Sequence, residues 1–274
     1  MPELPEILTI KQAMKNVLVG KTFSSAEIRK ATLIKNIEMT DFEKTIKGET
    51  ILKISSKNTC LLLELTNNKI LISTPKQHGS YMYFAEPTTP SKHTLVIFRF
   101  TDTSELHFAD PSQLGCFHIS SCKTYDCKAP VLCKGATAKI VNHEILYSNL
   151  YKKNKSIKWA LKSNDYIMGI GDVYADEILY KSKVHPFTSC KRVGKEEIRQ
   201  IVINAQQILE EATQKFGSDT KSVIDKDFKI GLYKKELKVY NREGEKCQIC
   251  NDKIKLITRH NESSFVCLTC QKEK

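Results

Sequence analysis

"IMGIGDVYADEIL", residues 167–179, is the stretch on which the reading of the fold turns. Gly169, Ile170 and Gly171 make a Gly-x-Gly turn, and the apolar residues after it recur with helical spacing, so a tight turn opens a helix here. A helix N-terminus presents unpaired N–H groups and the positive end of the helix dipole, and glycine lets another group come close to that backbone. Gly169 and Gly171 are therefore candidate phosphate ligands, with Asp172 beside them. The same pattern also suits an ordinary turn before a helix. Upstream, "EILYSNLYKKNKSIKWALKS" (144–163) has helical spacing and carries Lys152, Lys153, Lys155, Lys158 and Lys162. These lysines make either a phosphate-neutralising face or a solvated charged surface.

Beyond this helix, the tail holds two C-x-x-C pairs, Cys247 with Cys250 and Cys267 with Cys270, around a hairpin-length spacer. Four thiolates so spaced can surround one Zn²⁺ tetrahedrally. Such a site leaves no open coordination position, so its zinc is structural. It stabilises a β-hairpin, "LITRHNESSFV", which carries Arg259 and His260. The other six cysteines (Cys60, Cys116, Cys122, Cys127, Cys133, Cys190) follow no ligand spacing. With no secretory signal, they are expected to be reduced thiols.

In the other direction the chain is rich in strands. "TILKISS", "CLLLEL", "KILIST", "SYMYF", "TLVIFRF" and "SELHFAD" are short β-branched or aromatic runs separated by turn residues. They predict a β-sandwich or barrel through about Ile119, with helix on its flank. "GKEEIRQIVINAQQILEEATQKF" (194–216) is the clearest amphipathic helix. The expected architecture is α+β and multidomain: an N-terminal β-sandwich with flanking helices over 1–121, a linker over 122–137, a helical domain over 138–231 and a zinc hairpin over 232–274. Before the first helix stands "MPELPE". Pro2 and Pro5 fix the backbone there, and Glu3 and Glu6 suit the positive helix end.

Lys and Arg total 43 against 31 Asp and Glu, a formal net charge of +12, which favours a polyanionic partner, nucleic acid above all. No run of apolar residues approaches the length needed to cross a bilayer. An intracellular monomer is expected, with nucleus or cytoplasm left open.

"PELPE", "GIGDVYADEIL", "ELKVYNREGEKCQIC" and "FVCLTCQK", in this order and at these separations, resemble the Fpg/Nei family of DNA glycosylases, formamidopyrimidine-DNA glycosylase and endonuclease VIII. The resemblance covers nearly the whole chain. It implies a β-sandwich, a helix–two-turn–helix domain and a zinc hairpin that together clamp DNA. It further implies a bifunctional DNA glycosylase/AP lyase of base excision repair. Met1 is then removed and the secondary amine of Pro2 is the nucleophile, with Glu3 carrying protons for sugar-ring opening. Lys57 is the candidate for the family's phosphate- and sugar-contacting lysine. A gapless alignment of the apolar run puts Thr59 at that place, and Lys57, two residues earlier, would face the same side of a strand.

Lys158, Gly169, Gly171, Asp172, Arg259 and Gln77 are the implied DNA contacts. Gln77, in "PKQHGSY", matches the intercalating loop of the endonuclease VIII branch, so this branch and oxidised pyrimidines are the expected affinity. Three departures stand out. Asp172 replaces the family's phosphate-holding asparagine. Glu262 takes the place of the zinc-hairpin arginine, leaving Arg259 as the nearest basic substitute. Loop 109–115 ("ADPSQLG") offers Ser112, Gln113 and Leu114 where many members fill the void of the flipped nucleotide with arginine and phenylalanine. That loss predicts good activity on single-stranded DNA. The alternative is a non-catalytic damaged-DNA-binding protein of the same fold.

Overall fold

Apolar side chains alternating with period two build two antiparallel sheets. The computed structural model of the chain describes residues 2–76, 78–121, 136–218, 222 and 231–274. Gln77, Cys122, Cys127, Cys133 and nearly all of the expected linker lie outside the described residues. The strands are β1 (Phe23–Ile28), β2 (Ile51–Lys57), β3 (Cys60–Leu65), β4 (Lys69–Thr74), β5 (Ser80–Phe84), β6 (Thr94–Phe100), β7 (Glu105–Ala109) and β8 (Cys116–Ser121). They form two four-stranded sheets of order β1-β6-β7-β5 and β2-β3-β4-β8.

One apolar core is shared by both sheets. Phe98 and Phe108 of the first sheet meet Phe117 of the second edge-on, with centroids 5.6 and 5.1 Å apart, the geometry that aligns positive ring edges with negative faces. Helix α1 (Leu4–Leu18) adds Ile7, Ile10, Met14 and Leu18 at helical spacing, and α2 (Met39–Ile46) adds Phe42 and Ile46. The unbroken apolar run of β3 also has a reason. Leu61, Leu63 and Leu65 face the shared core, whereas Cys60 and Leu62 join Ile70 and Ile72 in a second cluster. The expected sandwich is thus present.

The remaining described chain is helical, then a hairpin. Helices α3 (His143–Leu150), α4 (Ile157–Lys162), α5 (Asp172–Lys181) and α6 (Lys195–Gln214) surround a second core. The stretch 144–163 is two helices rather than one. Ser156 caps a new helix by accepting the Trp159 N–H at 3.0 Å, so Lys152, Lys153 and Lys155 lie between helices and only Lys158 and Lys162 lie on α4. Two short strands, β9 (Ala136–Thr137) and β10 (Ile167–Met168), pair in parallel. The hairpin is β11 (Lys255–Arg259) with β12 (Glu262–Val266), closed by His260 and Asn261 at φ of 49° and 61°. Two left-handed residues in a two-residue loop match the right-handed twist of the strands they join.

The chain divides into two compact units where the sequence suggested four parts. One is the sandwich, with Pro2 and the chain from Glu6; the other holds Glu3–Pro5, the helices and the cysteine hairpin. The hairpin does not stand as a separate body because Cys247, Cys267, Val239 and Ile254 pack with Tyr180 of α5. No helix among the described residues is long and apolar enough to cross a membrane.

Candidate functional site

Helix α5 organises the site of the helical unit. At its start, Gly171, Val173 and Tyr174 donate their backbone N–H groups to the Glu3 carboxylate at 2.7, 2.9 and 3.2 Å. Glu3 is 3% exposed, so these bonds replace lost water. The next residue, Leu4, donates its N–H to the Gly169 carbonyl at 2.8 Å. These contacts explain both glycines. Gly169 has φ of +80°, and a Cβ there would fall 2.4 Å from the Leu4 Cβ. A Cβ on Gly171 would fall 2.7 Å from the Glu3 carboxyl carbon.

The phosphate cradle expected of Gly169 and Gly171 is corrected accordingly. The Gly169 N–H is taken by Asn164 Oδ1 at 2.8 Å and the Gly171 N–H by Glu3. The anion at this helix N-terminus is the protein's own carboxylate, placed next to Pro2.

One turn further, two adjacent acids bind the tail. Asp176 accepts the Phe265 N–H at 2.8 Å and the Ser264 hydroxyl. Glu177 accepts the N–H groups of Lys238, Val239 and Tyr240 at 2.8 to 3.0 Å. Burial raises both carboxyls above the usual carboxylate range, against the pull of these bonds. The sequence reading missed both residues. Their signal was present: two acids in mid-helix, flanked by the buried apolar residues Ala175 and Ile178.

Lys158 is fully buried rather than presented on a surface. Its Nζ donates to Asp176 at 2.7 Å and to the Ser263 carbonyl at 2.5 Å. Lys162 explains the two charge departures together, lying 2.6 Å from Asp172 and 3.4 Å from Glu262. Burial alone would raise the Asp172 carboxyl, but Lys162 and Lys158 outweigh it and hold it low. Burial would lower Lys162, but Asp172 and Glu262 hold it high. The charge of Asp172 is thus balanced by the lysines of α4. Arg259, opposite Glu262 in the hairpin register, pairs with Glu273 at 2.5 Å and lies 5.3 Å over the Phe187 ring.

Four thiols close the unit. The sulfurs of Cys247, Cys250, Cys267 and Cys270 all lie within 4.8 Å of one another. Cys247 and Cys270 are 3.8 Å apart, and Cys250 and Cys267 3.4 Å. A tetrahedron with Zn–S bonds of about 2.3 Å has edges of about 3.8 Å, so the donor set fits such an ion. Burial raises the Cys247 thiol, but bonds from the Tyr180 hydroxyl and the N–H groups of Cys250 and Ile249 outweigh it and bring it to about 6. Burial and the neighbouring thiols push Cys267 and Cys270 up, so without a cation the cluster favours the thiolate at Cys247 and the thiol at those two.

In the sandwich unit, Lys57 ends β2 and pairs with Cys60 across the hairpin. Asn58, at φ of 56°, and Thr59 form the turn. Thr59 is outside the strand, so the same-face argument linking it to Lys57 does not hold. In loop 109–115, buried Asp110 accepts the N–H groups of Ser112 and Gly115 at 2.9 and 2.8 Å. Gln113 accepts from Lys30. Leu114 is left 59% exposed, the apolar side chain this loop presents.

Comparisons with known proteins agree with this architecture. The family model described as formamidopyrimidine-DNA glycosylase N-terminal domain matches residues 1–117, and that of the formamidopyrimidine-DNA glycosylase H2TH domain matches 132–223. The formamidopyrimidine-DNA glycosylase of Mycoplasmopsis pulmonis is 34% identical over 100% of this chain and 99% of its own. Solved structures of Lactococcus lactis Fpg are similar, 26% identical and covering 99% of this chain and 100% of that one. The complex with abasic-site DNA has a TM-score of 0.90, that with N7-benzyl-Fapy-dG DNA 0.90, and that with oxidised-pyrimidine DNA 0.89.

The buried Lys158–Asp176 pair generates a stability prediction. Lys158→Met strands the Asp176 carboxylate and lowers unfolding free energy by about 3–5 kcal/mol in urea titrations. Adding Asp176→Asn recovers part of that loss, because the stranded charge is gone, the amide oxygen still accepts the Phe265 N–H, and the Ser264 hydroxyl can turn to accept from the amide NH2. A double variant as unstable as the single one would mean that Lys158 stabilises the fold without this ion pair.

Proposed function

The chain belongs to the formamidopyrimidine-DNA glycosylase family, and on that premise we propose that it is a bifunctional DNA glycosylase/AP lyase acting on oxidised bases and abasic sites in DNA. The observation that carries the proposal is the Glu3 carboxylate, held by three N–H groups of α5 directly beside Pro2 in the chain. With Met1 removed, the Pro2 nitrogen is a secondary amine. An α-amino group titrates near ~8, so a useful neutral fraction exists at neutral pH. Its lone pair attacks the deoxyribose C1′, and the damaged base leaves with the electrons of the glycosidic bond and takes up a proton. Glu3, as a carboxylate, takes the proton released by the Pro2 nitrogen and passes it to the ring oxygen as the C1′–O4′ bond breaks and the nitrogen lone pair forms the iminium. The resulting iminium acidifies the C2′ protons, so the 3′ phosphate and then the 5′ phosphate are eliminated.

Lys57 is proposed to contact phosphate and sugar, and Arg259, after release from Glu273, a backbone phosphate. Cys247, Cys250, Cys267 and Cys270 would hold one structural zinc ion, which supplies a rigid cross-link and no chemistry at the lesion. Metal analysis of active protein is expected to give one zinc per chain; active protein free of metal would refute this.

The proposed preference for oxidised pyrimidines rests on the resemblance of the Gln77 loop to the endonuclease VIII branch, and the activity on single strands on loop 109–115, where Leu114 is the exposed apolar side chain. Lactococcus lactis Fpg is seen with both a Fapy-dG lesion and an oxidised pyrimidine. The pyrimidine preference is therefore a proposal about this chain's own loops.

Borohydride trapping tests the chemistry. The expected result is a stable protein–DNA crosslink on Pro2 and none after the N-terminal amine is blocked. Undiminished trapping by blocked protein would remove Pro2 as the nucleophile. DNA binding without a crosslink would favour the non-catalytic reading.

Single-turnover excision of one oxidised pyrimidine tests the strand preference. The single-strand rate should at least equal the duplex rate, since extruding a base from a duplex costs a few kcal/mol. A duplex rate about tenfold higher, or about 1.4 kcal/mol in the barrier, would show that another group fills the void.

A further inference from the structure

Residues 151–164 carry five lysines and no acid. Two of the lysines are engaged, Lys158 with Asp176 and Lys162 with Asp172 and Glu262. Lys152, Lys153 and Lys155 form no ion pair among the described residues. Two of them instead lie over aromatic rings, Lys152 at 5.1 Å from the Tyr151 centroid and Lys155 at 5.9 Å from that of Trp159. Both rings are open to solvent, Tyr151 at 42% and Trp159 at 38% exposure. Each ring is anchored on one side, Tyr151 stacked on Tyr147 with centroids 6.0 Å apart and Trp159 edge-on to Tyr166 at 6.4 Å, and keeps the rest of its surface in solvent. Trp159 also lines a cavity of about 670 Å³ shared with Lys155, Phe187, Arg259 and Glu262, whose carboxylate is paired with Lys162.

An aromatic face with a cation beside it, repeated along a segment free of acids, has a specific chemical complement. Unpaired nucleobases stack on such rings whatever their sequence, and the phosphates between them neutralise the lysines. A duplex hides its base faces and offers only the phosphates. An acidic peptide likewise satisfies the charges but brings no π-face.

We propose that the segment from Tyr151 to Trp159 is a stacking platform for an unpaired DNA strand. Its bases lie on Tyr151 and Trp159, and its phosphates are met by Lys152, Lys153 and Lys155, and by Arg259 once it is released from Glu273. This role goes beyond lesion chemistry and does not use Pro2. It gives the protein a hold on undamaged single strands.

Trp159 is the chain's single tryptophan, so its emission reports on the platform alone. The experiment titrates full-length, metal-loaded protein with undamaged oligo(dT) of about 12 nucleotides, within the usual site size. Saturable quenching is expected, much weaker with the matching duplex or with poly-glutamate. By anisotropy with labelled oligo(dT), Trp159→Ala should weaken binding roughly fivefold or more, the lower end of what one stacked base is worth. A Lys152→Gln/Lys153→Gln/Lys155→Gln variant keeps the tryptophan and decides the matter if Trp159→Ala does not fold. It should bind more weakly and with a shallower salt dependence.

Unchanged emission at oligonucleotide saturation would overturn the proposal. So would affinity unaltered in the folded variants, or equal quenching by poly-glutamate. Loss of borohydride crosslinking with quenching intact would refute the catalytic reading and leave this one standing.

Discussion

The bond set between the Glu3 carboxylate and the first N–H groups of α5 is the constraint on which the site depends. It joins residues 168 positions apart. A helix start normally leaves such donors to water or to a ligand. Here they fix a side chain whose neighbour along the chain is the proposed nucleophile. The price is steric: only glycine fits at 169 and 171, because the N-terminal segment lies where a side chain would be. The same helix then uses Asp176 and Glu177 to bind the backbone of the cysteine module, and Tyr180 to contact Cys247. Successive turns of one helix thus orient the acid and anchor the hairpin.

The charge departures follow from the same geometry. Asp172 and Glu262 stand where the family resemblance led one to expect phosphate-holding groups, yet both belong to an ion network centred on Lys162. Asp172, Asp176 and Glu262 outnumber Lys158 and Lys162 there by one. A phosphate brought to this network meets carboxylates as well as ammonium groups. The proposed platform between α3 and α4, with no acid of its own, gives an unpaired strand a more favourable surface.

Much of the fold was legible because it rests on local signals. Period-two runs gave the sandwich strands, the C-x-x-C pairs gave the cysteine cluster, and the Gly-x-Gly turn gave the start of α5. The motifs at both ends gave the family. What the sequence could not show were partnerships between distant residues. Gly-x-Gly pointed to an anion but not to which one, and the anion is Glu3. Lys158 looked like one lysine among five until burial paired it with Asp176. The helix break at Ser156 was hidden because the helical period runs on through it, and only the cap reveals the restart. The offset of Lys57 from Thr59 was read by strand alternation, which fails once Thr59 lies in a turn.

The most direct test of the account concerns Glu3→Gln in protein with a free Pro2. The amide keeps the shape of the side chain and its oxygen can still accept the Gly171 and Tyr174 N–H groups, but it gives up the acceptor for the Val173 N–H and cannot carry the proton for sugar-ring opening. An abasic deoxyribose already exists partly as the open aldehyde, so imine formation there needs that proton far less. Single-turnover rates should therefore fall steeply, by about 10²-fold or more for a lost general acid, for excision of an oxidised base. Cleavage at a preformed abasic site should be retained to within about tenfold. Equal rates of base excision in the variant and the parent would contradict the account, and would leave Glu3 as a structural cap on α5 alone.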